Sequence, residues 1–320
     1  MRPEPSVRRA REQGAAAQAR ASEGMPMDGL MIGLLAVLPA SPAGGWNQEV
    51  LRVPERGAAV LEYRHRAVPF KPYVLRLRTP AGANILRDNV ADHLHHHGLM
   101  LAWRVDGVNF WEETAESGSQ VSEGARTAGN GIEDTLAWVA PGGTRTLLRE
   151  KRRVEVLRSG DPRATLIGWR SEFALPRGAS GPAVIAGGHY HGLGMRFLQS
   201  MDGGAFVSSD GDPGTVFRGE ERLLRGRWCA FRAAADGREV TVAMFDHPDN
   251  PRPATWFTMA RPFAYLSATL RLHEAPLELE AGRSLVIRYG VAVWDGRAQA
   301  DEIDRARGAW IRQAGPRAGR

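Results

Sequence analysis

Cysteine is almost absent from this chain of 320 residues, which contains Cys229 alone. A single thiol excludes an intramolecular disulfide framework and any zinc or iron–sulfur site built from several cysteines. Long apolar runs are also scarce, because the one extended run, Leu30 to Pro39, is too short to cross a bilayer. The sequence therefore excludes a polytopic membrane protein, and its 43% hydrophobic and 24% charged residues are typical of a globular protein.

Lysine is nearly as rare, since Lys71 and Lys151 are the two lysines among 42 basic residues. The formal charge of +6 and the pI near 10 would suit a nucleic-acid partner. The arginines are nevertheless spread along the chain, and no RNA-recognition signature or helix-turn-helix pattern is found. We therefore expect solvated surface charge and no nucleic-acid partner.

Helical periodicity is confined to Ala298–Gln313, where Ile303, Ala306, Ala309 and Trp310 share a face. The rest alternates with period two between turn signals such as Asp236-Gly237. This pattern predicts a large antiparallel β-sandwich, of jelly-roll or supersandwich type, over residues 48–297, with a C-terminal helix and tail over 298–320. The runs that predict strands are Val60–His65, Tyr73–Arg78, Thr144–Leu148, Arg153–Leu157, Glu239–Phe245 and Leu285–Trp294.

Residues 1–47 are predicted to be an N-terminal extension, with disorder over the first 24 residues. Met25 or Met27 is an alternative start. The apolar run is followed by small residues up to Ala43, which is the outline of a secretory signal, although no basic residue lies between Met25 and Leu30. The alternatives are export to the periplasm or outside the cell, and a buried apolar segment in a cytoplasmic protein.

Seven of the nine histidines fall in three short stretches. In an extended chain His93, His95 and His97 would point to one face, as would His189 and His191. Such imidazoles could bind a divalent transition metal or perform acid/base catalysis, and a solvated turn is the structural alternative. The metal hypothesis therefore takes these five histidines as its ligands.

Carboxylates accompany the histidines. The third stretch contains Asp246 and His247, while Glu112, Glu113, Asp88 and Asp92 are further acid/base candidates. The predicted catalytic residues are His95, His97, His191, His247, Asp246 and Glu112.

Aromatic and amide side chains near these stretches suit a sugar, whose C–H faces stack on rings while its hydroxyls take hydrogen bonds. Core packing is the alternative for each tryptophan. The glycine-rich pieces lack the strand–turn–helix context of a dinucleotide or phosphate site, so no nucleotide cofactor is expected. The predicted substrate-binding residues are Trp111, Asn109, Tyr190, Arg196, Arg252 and Trp256.

A family resemblance rests on segments spread in order between Val60 and Gly296. They are Arg78–Gly82, Asp92–Leu99 leading to Trp103, Asp106–Trp111, Gly192–Phe197, Phe245–Arg252, Pro262–Phe263 and Tyr289–Gly296. These segments resemble a bacterial family of unknown function whose members were labelled methane-oxygenase-like (PmoA-like). The resemblance implies a β-sandwich, often exported, from bacteria rich in carbohydrate-degrading genes. The label refers to a subunit of the particulate methane monooxygenase, which is a polytopic membrane protein. Methane oxidation is discarded because this chain lacks the several apolar spans that such a protein needs.

Three hypotheses follow for the function. The first is a carbohydrate-active hydrolase, lyase or epimerase that binds a small sugar or glycan in a histidine-rich cleft. The second is a metal-dependent enzyme that uses the two His-x-His segments, and the third is a non-catalytic sugar-binding or interaction protein. Stoichiometric metal in protein purified without a His-tag column would separate the second hypothesis from the first, and the third predicts that ligand binding stays largely intact when the histidines are replaced.

Overall fold

The computed structural model describes residues 49–315, except 56, 69, 89 and 92. The predicted extension and signal segment lie outside this range. The helix α1 is Ala300–Gln313, and short 3₁₀ turns occur at Pro141–Gly143 and Gln199–Met201. The strands are β1 Val50–Glu55, β2 Ala58–Arg64, β3 Tyr73–Leu77, β4 Leu99–Ala102, β5 Arg104–Val105, β6 Val108–Asn109, β7 Ser119–Ser122, β8 Arg126–Ala128, β9 Gly131–Val139, β10 Thr146–Leu157, β11 Ala164–Ala174, β12 Ala183–Ala186, β13 Gly192–Arg196, β14 Ala205–Ser208, β15 Thr215–Arg218, β16 Glu221–Leu224, β17 Trp228–Ala235, β18 Arg238–Asp246, β19 Thr255–Met259, β20 Tyr265–Thr269, β21 Leu277–Leu279 and β22 Ser284–Asp295.

Two large antiparallel sheets form the fold. The first sheet has the order β1-β2-β3-β4-β13-β20-β19-β16-β15. The second has the order β14-β17-β18-β22-β11-β10-β9-β7, and β8 pairs with β9. A small third sheet has the order β21-β12-β5-β6. The predicted all-β sandwich with a C-terminal helix is confirmed.

The second sheet meets the first through a buried polar network as well as through apolar side chains. Tyr63 on β2 donates a hydrogen bond to Asp134 on β9, at 2.9 Å. Arg152 on β10 donates to Glu150 from Nε at 2.8 Å, and both side chains are buried. Buried charges of this kind need paired partners to offset their desolvation.

These buried charges explain one difference from the sequence prediction. Thr144–Leu148 and Arg153–Leu157 are predicted as two strands, but the first run from Thr146 onward and the whole of the second belong to the single strand β10. Its inward positions include Glu150 and Arg152, so the alternation of burial continues where the alternation of hydropathy stops.

Helix α1 covers the outer face of the second sheet. Ile303, Ala306 and Trp310 are buried, in agreement with the predicted helical face, and pack with side chains such as Trp294. A capping box between Gln299 and Glu302 fixes the start of the helix. Within the described residues, no helix is both long and apolar enough to cross a membrane.

Cys229 lies on β17 and is completely buried. Burial raises the pKa of its thiol above the ordinary value.

One face of the first sheet points away from the second sheet. A cross-strand row contains Tyr63, Val74, Leu99, Met195 and Leu266, and it is on the inner face because Tyr63 contacts Asp134. Neighbouring residues on a strand face opposite sides. The outer face therefore carries the next row, which includes Arg196, Tyr265 and Met259.

Candidate functional site

A cavity of about 200 Å³ lies on this outer face of the first sheet. Strands β15, β16 and β19 contribute one side, and the turns before β4 and β13 contribute the other. Its polar lining is His93, His95, His96, Glu112, Tyr190, Arg218 and Glu221, and its apolar lining is Trp111, Phe257, Met259, Phe263 and Tyr265.

Three buried polar atoms of this lining lack a hydrogen-bond partner within the described part of the chain. They are Nδ1 of His96, Nε1 of Trp111 and the hydroxyl oxygen of Tyr265. Leaving such a group without a partner costs about 1–3 kcal/mol, so buried polar atoms are normally satisfied by protein, water or ligand. The residues that line the cavity therefore include three buried hydrogen-bonding groups without a described partner, among aromatic rings.

Gly194 makes room for the Tyr265 ring. A Cβ atom at residue 194 would lie 2.1 Å from the Tyr265 hydroxyl oxygen, because β13 and β20 are direct neighbours. In the motif Gly192-Leu193-Gly194, the second glycine is thus explained by the packing of a cavity side chain, and the first by the close approach of the Ala268 carbonyl oxygen.

Two imidazole–carboxylate pairs lie at the cavity, the first lining it with both side chains and the second with its carboxylate. Nδ1 of His95 lies 3.3 Å from Oε2 of Glu112, and Nε2 of His189 lies 3.0 Å from Oε2 of Glu221. Arg218 donates to the other Glu221 oxygen at 2.7 Å. Burial raises the pKa of Tyr190, and the charges of Glu112 and Glu221 raise it further, so this phenol lies within the field of both pairs.

Three imidazoles of this region, those of His95, His96 and His191, are held in their neutral form. Burial, aided by the charge of Lys71, lowers the pKa of His95 to about 4. Burial likewise lowers the pKa of His96, and it lowers the pKa of His191 to about 3 with help from Arg104. At neutral pH, uncharged imidazoles of this kind can accept a proton from a ligand.

His97 turns away from the cavity lining into a chain of charged groups. Its Nδ1 lies 2.8 Å from Asp88, its Nε2 lies 2.9 Å from Glu113, and Lys71 donates to Glu113 at 2.6 Å. Burial would lower the pKa of His97, but the two carboxylates outweigh it and raise the pKa. Burial lowers the pKa of Lys71. Burial would raise the pKa of Glu113, but its contacts with His97 and Lys71 outweigh this effect and lower the pKa.

The histidines do not share one face as an extended chain would require. His93 to His97 form turns, with the His96 amide donating to the His93 carbonyl, so His95 and His97 diverge. His191 likewise donates from its amide to Gly188 in a turn, and its ring stacks on Trp111 at 4.9 Å between centroids. The extended geometry was wrong because alternation was assumed where the backbone turns.

The five proposed metal ligands take different partners. Among the described residues, no three His, Cys, Asp or Glu side chains come close enough together to hold a metal ion. His97 lies between two carboxylates and His189 pairs with Glu221. Metal binding stays a prediction.

Asp246 and His247 lie apart from the cavity lining. The Asp246 carboxylate accepts from Asn250 Nδ2 at 2.8 Å and from the Ala254 amide at 2.9 Å. His247 packs edge-on against Trp310 of α1.

Four predicted binding residues have structural partners. Trp256 is buried and donates to the Gly226 carbonyl at 2.8 Å, and Arg252 donates to the carbonyl of Pro276 at 2.8 Å. Asn109 accepts from the Trp111 amide at 2.9 Å and so orients the turn that carries Glu112. The buried Arg196 guanidinium lies 3.5 Å from the centroid of the Phe263 ring.

Glu221, Arg218, Phe263 and Lys71 were missed as site residues. Arg218 and Glu221 lie on β15 and β16 and follow no motif, so the pairing of distant strands brings them to the cavity. Phe263 and Lys71 lie outside the strands, and only the tertiary fold brings them to the cavity and to Glu113. Glu113 was named as a candidate through its place beside Glu112, and the structure gives it a partner in His97.

The fold and cavity define an antiparallel β-sandwich protein with an aromatic, histidine-lined pocket on one sheet. The chain belongs to a family of unknown function, DUF6807, whose model matches residues 51–307. No curated protein matches the sequence.

Several solved structures are similar to this chain at low sequence identity. The galactosidase domain of an α-galactosidase–sucrose kinase is 10% identical with a TM-score of 0.41, covering 74% of this chain and 39% of that one. An α-galactosidase from Geobacillus stearothermophilus is 9% identical with a TM-score of 0.34, covering 82% and 34%. The Slr1438 protein from Synechocystis is 9% identical with a TM-score of 0.37, covering 77% and 96%. The chain thus spans about two fifths and one third of the two galactosidase chains.

Proposed function

We propose that this protein is an enzyme that binds a sugar unit in the cavity and moves a proton on it, as a hydrolase, lyase or epimerase does. The observation that carries this proposal is the set of unpartnered groups on His96, Trp111 and Tyr265 among aromatic rings. A sugar supplies hydroxyls for the polar groups and C–H faces for the rings.

His95 is the proposed acid/base residue. When its Nδ1 carries the proton facing Glu112, Nε2 carries the lone pair that accepts a proton from the substrate. Glu112 orients this tautomer and stabilises the imidazolium that forms. Because the pKa of His95 is about 4, the base stays neutral down to mildly acidic pH.

The test is a substrate screen with three readouts on the full chain. Proton NMR of reducing sugars in D₂O detects anomer exchange and epimerisation, chromogenic glycosides detect hydrolysis, and uronate-containing glycans detect elimination. We expect His95→Gln and Glu112→Gln to lower the rate on the active substrate by about 10²–10⁴-fold while ligand binding changes little. The matched controls are His247→Gln and Glu280→Gln, since neither residue lines the cavity.

Two outcomes would replace the proposal. Sugar binding without turnover, unchanged in His95→Gln, would identify a non-catalytic binding protein. Near-stoichiometric metal in untagged protein, lost in the His95→Ala/His191→Ala variant, would support the metal-dependent enzyme instead.

A further inference from the structure

A second pocket, of about 520 Å³, lies at the other ends of the strands that build the cavity. Strand β19 runs from Thr255 in this pocket to Met259 in the cavity, four residue steps or about 13 Å. We call this second pocket the basic pocket. It is lined by Asp210, Arg225, Gly226, Arg227, Asp246, Pro248, Pro253, Ala254, Thr255, Arg271 and Arg307.

Positive charge outweighs negative charge in the basic pocket. The lining contains two carboxylates, Asp210 and Asp246, and four arginines, which are Arg225, Arg227, Arg271 and Arg307. The Asp246 carboxylate is already hydrogen-bonded to other residues. Both Asp246 oxygens accept hydrogen bonds, one from Asn250 and one from the Ala254 amide. The lining of this pocket therefore keeps a net positive charge. The lining of the cavity differs, because it has two carboxylates, Glu112 and Glu221, and one arginine, Arg218.

The arginine donors are weakly engaged by the protein. Arg227 lies 3.5 Å from Asp304, and Arg271 lies 3.5 Å from Glu274. Arg307 reaches the Asp246 carbonyl at 3.4 Å, and its buried Nε has no partner within the described residues. These contacts are long for charge-assisted hydrogen bonds, which are about 2.7–2.9 Å.

The half-buried Arg307 also faces like charge. Burial lowers the pKa of Arg307, and the positive charge of Arg227 lowers it further, against the raising effect of Asp246 and Asp304. An anion between these guanidinium groups would relieve the repulsion and satisfy the buried Nε.

We propose that the basic pocket binds a small ligand through an oxyanion group, a phosphate, sulfate or carboxylate. Arg307 and Arg271 supply planar donors from two sides, since one stands on α1 and the other follows β20. A guanidinium binds such oxygens in pairs, which gives direction as well as charge. The volume suits a phosphorylated or acidic monosaccharide and is too small for a folded partner. This inference does not depend on the proposed function, because the two pockets share no lining residue.

Titration calorimetry at constant ionic strength tests the proposal, with inorganic phosphate, inorganic sulfate, glucose 6-phosphate and glucuronate as probes. We expect saturable one-to-one binding of at least one probe, weakened at least tenfold in Arg271→Gln/Arg307→Gln. The matched control is Arg305→Gln, which removes the same charge from α1 at an exposed residue outside the basic pocket. Binding in this control should equal that of the parent protein.

Three results would overturn the proposal. They are no saturable binding of any probe, equal weakening in Arg305→Gln, and unchanged binding in the double variant with native stability. Binding of heparin alongside the first of these results would indicate a diffuse polyanion surface. Tighter binding of glucose 6-phosphate than of inorganic phosphate would indicate that the ligand is a phosphate ester.

Discussion

Two adjacent glutamates show how strongly surroundings decide what a carboxylate does. The Glu113 side chain is 6% exposed and lies between Lys71 and His97, whereas that of Glu112 is 38% exposed and lies in the cavity. A buried cation left without its counter-ion is costly because the protein interior solvates it poorly. Glu113 is therefore required to compensate charge, and Glu112 is available for chemistry.

We predict opposite phenotypes for the two amide variants. Glu113→Gln should lower the free energy of unfolding by roughly 3–5 kcal/mol, since it removes the charge facing both Lys71 and His97. Glu112→Gln should change it by less than about 0.5 kcal/mol. Urea denaturation of both variants provides the measurement, and equal stabilities would contradict the division of roles.

Residue-scale features of the site were partly predictable. His95, Glu112, Trp111 and Tyr190 were named from composition and proximity in the chain, and the structure places all four at the cavity. Lys71 could not be named because its contact with Glu113 joins residues 42 positions apart and leaves no local pattern.

At the scale of elements, glycine acts in opposite ways on β13 and on α1. On β13, residue 194 has no space for a side chain beneath Tyr265. On α1, the nearest atom to a Cβ at Gly308 is the mobile end of Arg312, at 3.4 Å.

Alanine substitution at these two glycines should therefore change stability with opposite signs. Gly194→Ala should destabilise the protein by about 1–3 kcal/mol and weaken sugar binding, because the Tyr265 ring must shift. Gly308→Ala should stabilise it by about 0.5–1 kcal/mol through helix propensity. Thermal unfolding and ligand titration measure the two effects, and a stable, fully binding Gly194→Ala protein would refute the role given to Tyr265.

Edge strand β15 contributes Arg218 to one side of the cavity and pairs with β16. All four of its residues are exposed, yet the Phe217 ring stacks on His189 with 3.7 Å between centroids. Arg218 on the same strand reaches Glu221. Strand β15 can thus influence the His189–Glu221 pair from the solvent side.

Phe217→Ala should weaken sugar binding several-fold without measurable loss of stability, because it removes only the ring that covers His189. Val216→Ala is the matched control, since Val216 is exposed on the same strand and has no ring to stack on His189. Equilibrium titration of both variants makes the comparison. Equal effects would mean that Phe217 has no specific role at His189.

At the scale of the whole molecule, buried neutral histidines link folding to pH. The pKa of His191 is about 3 in the folded chain and about 6.5 when unfolded, so the unfolded state binds more protons between these values. Stability is then fully present above pH 6.5 and falls as the pH decreases toward 3. His96 contributes in the same direction.

Lowering the pH from 7.5 to 5 should therefore reduce the free energy of unfolding by about 2 kcal/mol through His191 alone. Urea midpoints at the two pH values measure this change. In His191→Gln, the loss of unfolding free energy between pH 7.5 and pH 5 should be smaller by about 2 kcal/mol. In His247→Gln, most of this loss should remain, because the pKa of His247 is less strongly lowered. An unchanged pH dependence in His191→Gln would contradict the assignment.

The architecture was far more predictable than the site. Alternating or β-branched runs marked β2, β3, β18 and β22, although each of these strands buries consecutive side chains. The positions of the histidines depended on turns and on the pairing of distant strands, and neither has a periodic signal. Sheet order places β13 between β4 and β20, and this order brings Tyr265 beside Gly194.

The deep burial of Cys229 makes this protein a convenient host for a spectroscopic label. Its thiol has no access to solvent and a raised pKa, so maleimide reagents should leave it unmodified in the folded state. A cysteine introduced by Val216→Cys would be the single reactive thiol of the chain. A fluorophore attached there would report on the environment of edge strand β15, which carries Arg218 of the cavity lining.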